Sequence, residues 1–298
     1  MGKILSIGIF CCLITSTNIG AQDTIPFLLT PKNNISVKAQ LNGQDTIALM
    51  FHTAVTEVGL IATVAEKLLK IDSAQSVEAY SWGGTGEARY VLNNQLQIGS
   101  FLVDSLTIWI GQLSGQGTEG KFGPSFFKNQ VVEINFEDQQ LLIHKALPAD
   151  LLKRGFKKFA LSYEHGMMFL KAELRLGAKV FEHSFMIHTG YGGALLLDDE
   201  LVRKQDVGAQ VEVLSESELR DSYGNVLKTK KGLLPGLDLG GHDFEAVPIS
   251  FFEGGLDRQK YSVVGGSLLK RFHILFDEAN ATVYLKPNAL MDLPFKGI

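Results

Sequence analysis

Beyond residue 22 the chain reads as short apolar runs separated by Gly, Asn and Asp. The runs "ISVKAQLNG", "TIALMF", "ARYVLNNQLQIG", "FLVDSLTIWIG", "VVEINF" and "QLLIH" are rich in β-branched and aromatic residues, and several alternate apolar with polar positions. That is the two-residue period of half-buried strands. Helical spacing occurs in two short places, Ile61 to Lys70 and the run "LLLDDELVRKQ" from Leu195. The pattern predicts an all-β protein with a few short helices.

The strand pattern occurs twice. "VKAQLNG" from Val37 has a partner in "LKAELRLG" from Leu170, and "GPSFFKNQVVEINFEDQQLLIH" from Gly123 has one in "GGSLLKRFHILFDEANATVYLK" from Gly265. Within the longer block Ser125 matches Ser267, Lys128 matches Lys270, Val132 matches Ile274 and Ile134 matches Phe276, always 142 positions apart. Ahead of each block stands a polar triplet between apolar runs, His52-Thr53-Ala54 and His188-Thr189-Gly190. Agreement of this kind predicts duplication of one β-rich lobe. Pro148 and a burst of Lys and Arg between Lys145 and Phe159 mark the joint, giving lobes at residues 22–150 and 151–298.

The first residues have a different character. Lys3 precedes an apolar stretch from Ile4 to Ile14, and a polar stretch then runs to Ala21. This is the layout of a secretory signal peptide, residues 1–21. The apolar stretch is shorter than the ~20 residues that span a bilayer. The expectation is an exported protein, periplasmic or extracellular, with no membrane span after cleavage. Both cysteines, Cys11 and Cys12, fall inside the signal. The mature chain then has no disulfide, thiol nucleophile or Cys-ligated metal. A formal charge of −4 over 298 residues, without a long basic run, argues against nucleic acid as a partner.

The duplicated order, with an apolar-apolar-x-Thr turn early in each half, closed by Gly in the second, and an apolar-apolar-Gly segment later, resembles the pepsin/retropepsin-like aspartic protease family. The likeness is to a bilobal, exported, bacterial-type member. The later segments are Lys121-Phe122-Gly123 and Val263-Val264-Gly265, with Lys121 departing from the apolar pattern. The resemblance implies that Thr53 and Thr189 bind across a two-fold axis, that Gly190 belongs to the second turn, and that the Thr56 hydroxyl braces the first catalytic side chain. It also implies that the family's two aspartates correspond to His52 and His188. In lobe 1 Ala54 replaces the turn glycine as well.

Two adjacent carboxylates catalyse because they share one proton. A pair of imidazoles is neutral or cationic and never anionic. Losing well-placed acid–base groups costs ~10²–10⁴ in rate. The expected product is a pseudo-protease that binds an extended peptide or polypeptide in the interlobe cleft, with no cofactor. The alternative is a peptide hydrolase using the His52/His188 pair, with or without metal; a purely structural envelope protein is a third use of the fold. Zinc would need a third protein ligand, and no HExxH spacing supplies one, so no metal site is assigned. Asp198 and Asp199 read as the cap of a short helix, Asp104 as an exposed strand residue, and His144, His165, His183, His242 and His273 as surface or strand-edge residues.

The resemblance also implies a hairpin over the cleft, matched by "VEAYSWGGTGEARYVL" from Val77, with a lobe 2 counterpart turning at Tyr223-Gly224-Asn225. Tyr80 and Trp82 alternate onto one face of that hairpin, and with Tyr191 they are the expected peptide-binding residues. The oligomeric state is not legible.

Overall fold

In the strand Ile35–Leu41, Ile35, Val37, Ala39 and Leu41 are buried while Lys38 and Gln40 face solvent. The period of two turns one face of the strand onto a core, whereas strands such as Phe272–Asp277 and Ser262–Gly265 are buried on both faces. The structure, a computed structural model, describes residues 23–81, 84–220, 226–252 and 258–295.

The two halves build two sheets. Residues of the first half from Ile35 to Phe122 form one arm of a 13-stranded sheet, and residues from Ser162 to Gly265 form a separate 8-stranded sheet. The remaining arm of the larger sheet is shared. Its order is Lys157–Ala160, Thr282–Pro287, Phe272–Asp277, Val131–Asn135, Gln140–His144, Asp23–Leu29, so strands from both halves lie side by side. This is the bilobal, all-β architecture the pattern predicts, with both lobes resting on a joint sheet.

The two-fold relation is visible in the register of that joint. Val132 pairs with Phe276, Glu133 with Leu275 and Ile134 with Ile274, antiparallel. Since the repeat matches Val132 with Ile274 and Ile134 with Phe276, the Glu133–Leu275 pair sits on the pseudo-dyad. Leu275 packs there with Val131, Leu151, Phe156 and Tyr284. Leu151 and Phe156 belong to the predicted joint between lobes, which is therefore packed down rather than loose. The helices Ala62–Leu68 and Asp199–Gln205 fall inside the two runs with helical spacing.

Several strands are absent from the sequence reading, and one of them joins the two parts of the larger sheet. Asp23–Leu29 pairs with Gln140–His144 through its first half and with Ile35–Leu41 through its second, linking the joint to lobe 1. Pro26 at its centre has no N–H to give, which is why the run does not read as a paired strand. A hairpin forms where the sequence predicts one, from Gln75–Ser81 and Gly84–Ile98. Trp82, the side chain of Tyr80 and the turn Tyr223-Gly224-Asn225 lie outside the described residues.

Candidate functional site

Each His-Thr turn begins where a strand stops. His52 follows Asp45–Phe51, whose last residues run parallel to Gly120–Phe122, and the His52 amide donates to the Phe122 carbonyl at 2.8 Å. His188 ends Lys179–His188, which runs parallel to Ser262–Gly265. In both lobes a glycine of the later segment lets it press against the turn. A Cβ at Gly123 would fall on the Val55 carbonyl oxygen, and one at Gly265 would come within 2.5 Å of the Tyr191 carbonyl oxygen. Val55 and Tyr191 are each the third residue after the histidine, so the two contacts are equivalent.

The threonines lock the turns together. Thr53 Oγ1 donates to the Ile187 carbonyl at 2.6 Å, and Thr189 Oγ1 donates to the Phe51 carbonyl at 2.8 Å. Each hydroxyl also accepts from the opposite threonine's amide, at 3.1 Å in both directions. All four bonds cross between lobes, and both threonines are buried. This is the reciprocal brace that the resemblance implies. Lobe 1 adds a second clamp: Asn34 Nδ2 donates to the Gly190 carbonyl at 3.1 Å, and Asn33 Nδ2 to the Gly192 carbonyl at 2.8 Å. No feature of the sequence marks these asparagines, which reach partners in the other lobe.

The brace brings the two histidines together, with ring centroids 4.4 Å apart and ring planes inclined at 53°. His52 Nδ1 accepts from the Ala54 amide at 3.2 Å, and His188 Nδ1 accepts from the Tyr191 amide at 2.9 Å. A ring nitrogen that accepts carries no proton, so both neutral rings hold their proton on Nε2. Burial pushes the His188 pKa down to about 4, and the Lys121 ammonium acts in the same direction. Burial also holds His52 well below its ordinary value, aided by His188 beside it and by Lys121. At neutral pH the pair is uncharged.

Ala54, the position with a methyl in place of the second turn's glycine, is accommodated against the apolar cluster of Phe169, Met186, Leu196 and Val263. Thr56 differs from expectation. It is exposed and its hydroxyl donates to Glu57 Oε2 at 2.6 Å, so it does not brace His52. Tyr191 does line the cleft, beside His52, His188, Gly190 and Lys121 in a cavity of about 320 Å³.

Asp198 caps the helix Asp199–Gln205 by accepting from the Leu201 amide at 2.8 Å, and Asp104 is an exposed strand residue, both as expected. Three other histidines are more enclosed than the surface or strand-edge positions the sequence suggests. His144 and His273 are buried, and His183 is half-buried. Each meets a carboxylate: His144 with Glu133 at 2.9 Å, His273 with Glu137 at 2.7 Å and His183 with Asp198 at 2.7 Å. Ser262 joins the last pair, giving a Ser–His–Asp cluster. Its geometry is structural, because one nitrogen, His183 Nε2, meets both Asp198 Oδ2 and Ser262 Oγ, and Ser262 donates to Asp198 itself. A relay needs the two ring nitrogens to serve different partners. Among the described residues no group of three or more His, Cys, Asp or Glu is placed to hold a metal ion.

Among solved structures, the crystal structure of an aspartic proteinase from Irpex lacteus matches this chain with a TM-score of 0.58. The match covers 92% of this chain and 99% of that one, at 11% sequence identity. The chain thus has the fold of a pepsin-like aspartic proteinase, and similarity this remote speaks for the fold alone. No family model matches the sequence, nor does any curated protein.

Proposed function

We propose that this is an exported pseudo-protease that holds an extended peptide or polypeptide between its lobes. His52 and His188 then occupy the positions of the protease family's two aspartates. The observation that carries the reading is the combination at the dyad. The threonine brace that sets the turns is complete, while the groups it presents to the cleft are two neutral imidazoles. No carboxylate side chain lines the cavity among the described residues.

Peptide hydrolysis on this scaffold needs a base that takes a proton from water and an acid that polarises the carbonyl. Two imidazoles held neutral by burial supply a weakened base and no cationic acid. The Lys121 ammonium deepens that weakness by opposing protonation of either ring. Binding is unaffected by this loss. The cleft keeps apolar walls from Met50, Leu113, Met186, Tyr191, Leu196 and Val263, the surface an extended chain buries against.

The test is hydrolysis of a mixed peptide library by the purified protein from pH 3 to 8, with and without chelator. A His52→Asp/His188→Asp/Ala54→Gly variant is run beside it. Silence from the natural protein and cutting by the variant would support a competent scaffold disabled at two side chains. Cutting by the natural protein that His52→Ala or His188→Ala abolishes would replace this reading with a histidine-dependent peptidase.

A further inference from the structure

Among the described residues, the charged side chains that line the cavity at the histidine pair are all cationic. Lys32, Lys121 and Arg220 line the cavity together with His52 and His188, and neither Asp nor Glu lines it among the described residues. Arg220 meets Glu218 at 3.4 Å, but both side chains are more than half exposed, and such a pair screens little of the guanidinium's charge.

Lys121 is the informative residue. It stands in the strand Gly120–Phe122, where the repeat places Val263 in the other lobe, and its register partner is Met50, two residues before His52. Only lobe 1 carries a cation here. It lies close enough to both imidazoles to disfavour their protonation. The rings therefore stay neutral and present Nε2–H donors on the edge opposite their backbone bonds. Two neutral N–H donors beside an ammonium complement an anion with two acceptor oxygens. They do not complement a metal cation, which Lys121 would repel.

We propose that the cleft recognises a carboxylate of its peptide ligand, seated at His52, His188 and Lys121, with Lys32 and Arg220 drawing it in from the rim. This deepens the peptide-binding reading and rests on it. In effect, the ligand supplies the negative charge that the protein's own pair lacks. The carboxylate has two possible sources, an acidic side chain within the segment or the free end of a chain.

The experiment measures binding of three labelled peptides that share one extended, otherwise uncharged sequence. The first has a central Gln and blocked ends, the second a central Glu and blocked ends, and the third the central Gln with a free C-terminal carboxylate. At least one carboxylate peptide should bind roughly tenfold or more tighter than the neutral one, the scale of a charge-assisted hydrogen bond in a partly closed site. Which of the two it is identifies the source. Lys121→Gln should remove most of the preference. Arg220→Glu, at an exposed position that leaves folding intact, should reduce it and lower the association rate. Equal affinity for all three peptides overturns carboxylate recognition and leaves peptide binding standing. A preference unchanged in both variants places the carboxylate elsewhere and also overturns the proposal. Failure of all three to bind, together with failure of a wider neutral peptide library, removes the peptide-binding reading beneath it.

Discussion

Gly190 leaves the space that the His52 ring fills. A Cβ at Gly190 would fall on His52 Cδ2 and Nε2 and come within 3.1 Å of His188 Cε1. The corresponding Ala54 in lobe 1 carries its methyl without harm, because there it meets the apolar cluster around Met186 and Val263. The two turns are thus equivalent in backbone and unequal in what their third residue faces.

Gly190→Ala should therefore push His52 from its place and break the bond from the Ala54 amide to Nδ1. Overpacking of a close-fitted site costs about 1–3 kcal/mol. Ala54→Gly, by contrast, should cost under about 1 kcal/mol, because it only removes a half-buried methyl. Thermal or urea unfolding of the two variants measures both costs. Equal costs would mean that the imidazoles do not set the spacing at the dyad.

The brace predicts coupling between lobes. Thr53→Val leaves the Ile187 carbonyl and the Thr189 amide without their partner, and Thr189→Val does the same to the Phe51 carbonyl and the Thr53 amide. A buried polar group left unmade costs about 1–3 kcal/mol. Because both halves of the brace hold the same pair of turns, loss of one loosens the other, and the double variant should cost less than the two single changes added together. A double-mutant cycle by chemical denaturation decides it. Additive costs would show that the two halves of the brace work independently.

Glu133 is the unequal residue of the dyad, a buried carboxylate where the repeat has Leu275. It accepts from Arg154 at 2.9 Å and meets His144 at 2.9 Å, and those partners hold its pKa below the usual carboxylate value against the opposing effect of burial. Breaking a buried ion pair from one side costs roughly 3–5 kcal/mol. Glu133→Ala should lie near the lower end of that range, because the Arg154 side chain is 37% exposed and can return to water. Denaturant unfolding reads the loss. Little change in stability would show that the network is dispensable to the joint sheet.

Much of this arrangement is legible in the sequence for a physical reason. Duplication writes the same alternation twice, so the blocks from Gly123 and Gly265 announce both the lobes and the strands that meet at the dyad. The His-Thr turns are legible because polar triplets between apolar runs are rare. What is hidden depends on contacts distant in the chain. Pro26 conceals a strand whose pairing with Gln140–His144 spans most of lobe 1. His144, His183 and His273 look isolated until the fold brings Glu133, Asp198 and Glu137 to them. The cationic cleft is equally invisible, since Lys32, Lys121 and Arg220 share no local pattern and converge only in space.

The protonation of the pair is the most direct check on the site. In the unfolded chain both histidines titrate near ~6.5. In the fold burial depresses both, His188 to about 4 and His52 well below its ordinary value. The unfolded state therefore binds more protons than the folded state between those limits. The pair's contribution to stability is fully present above pH ~6.5, declines as the pH falls below it, and for His188 is lost by about 4. Nitrogen-15 spectra of the imidazoles should show both rings neutral at pH 5.5 with their single proton on Nε2, as the amide bonds to Nδ1 require. Lys121→Gln removes a nearby positive charge and should raise both pKa values. If either ring of the folded natural protein instead charges near pH 6.5, a cationic acid is available beside a neutral base, and the case for a catalytically silent pair fails at its foundation.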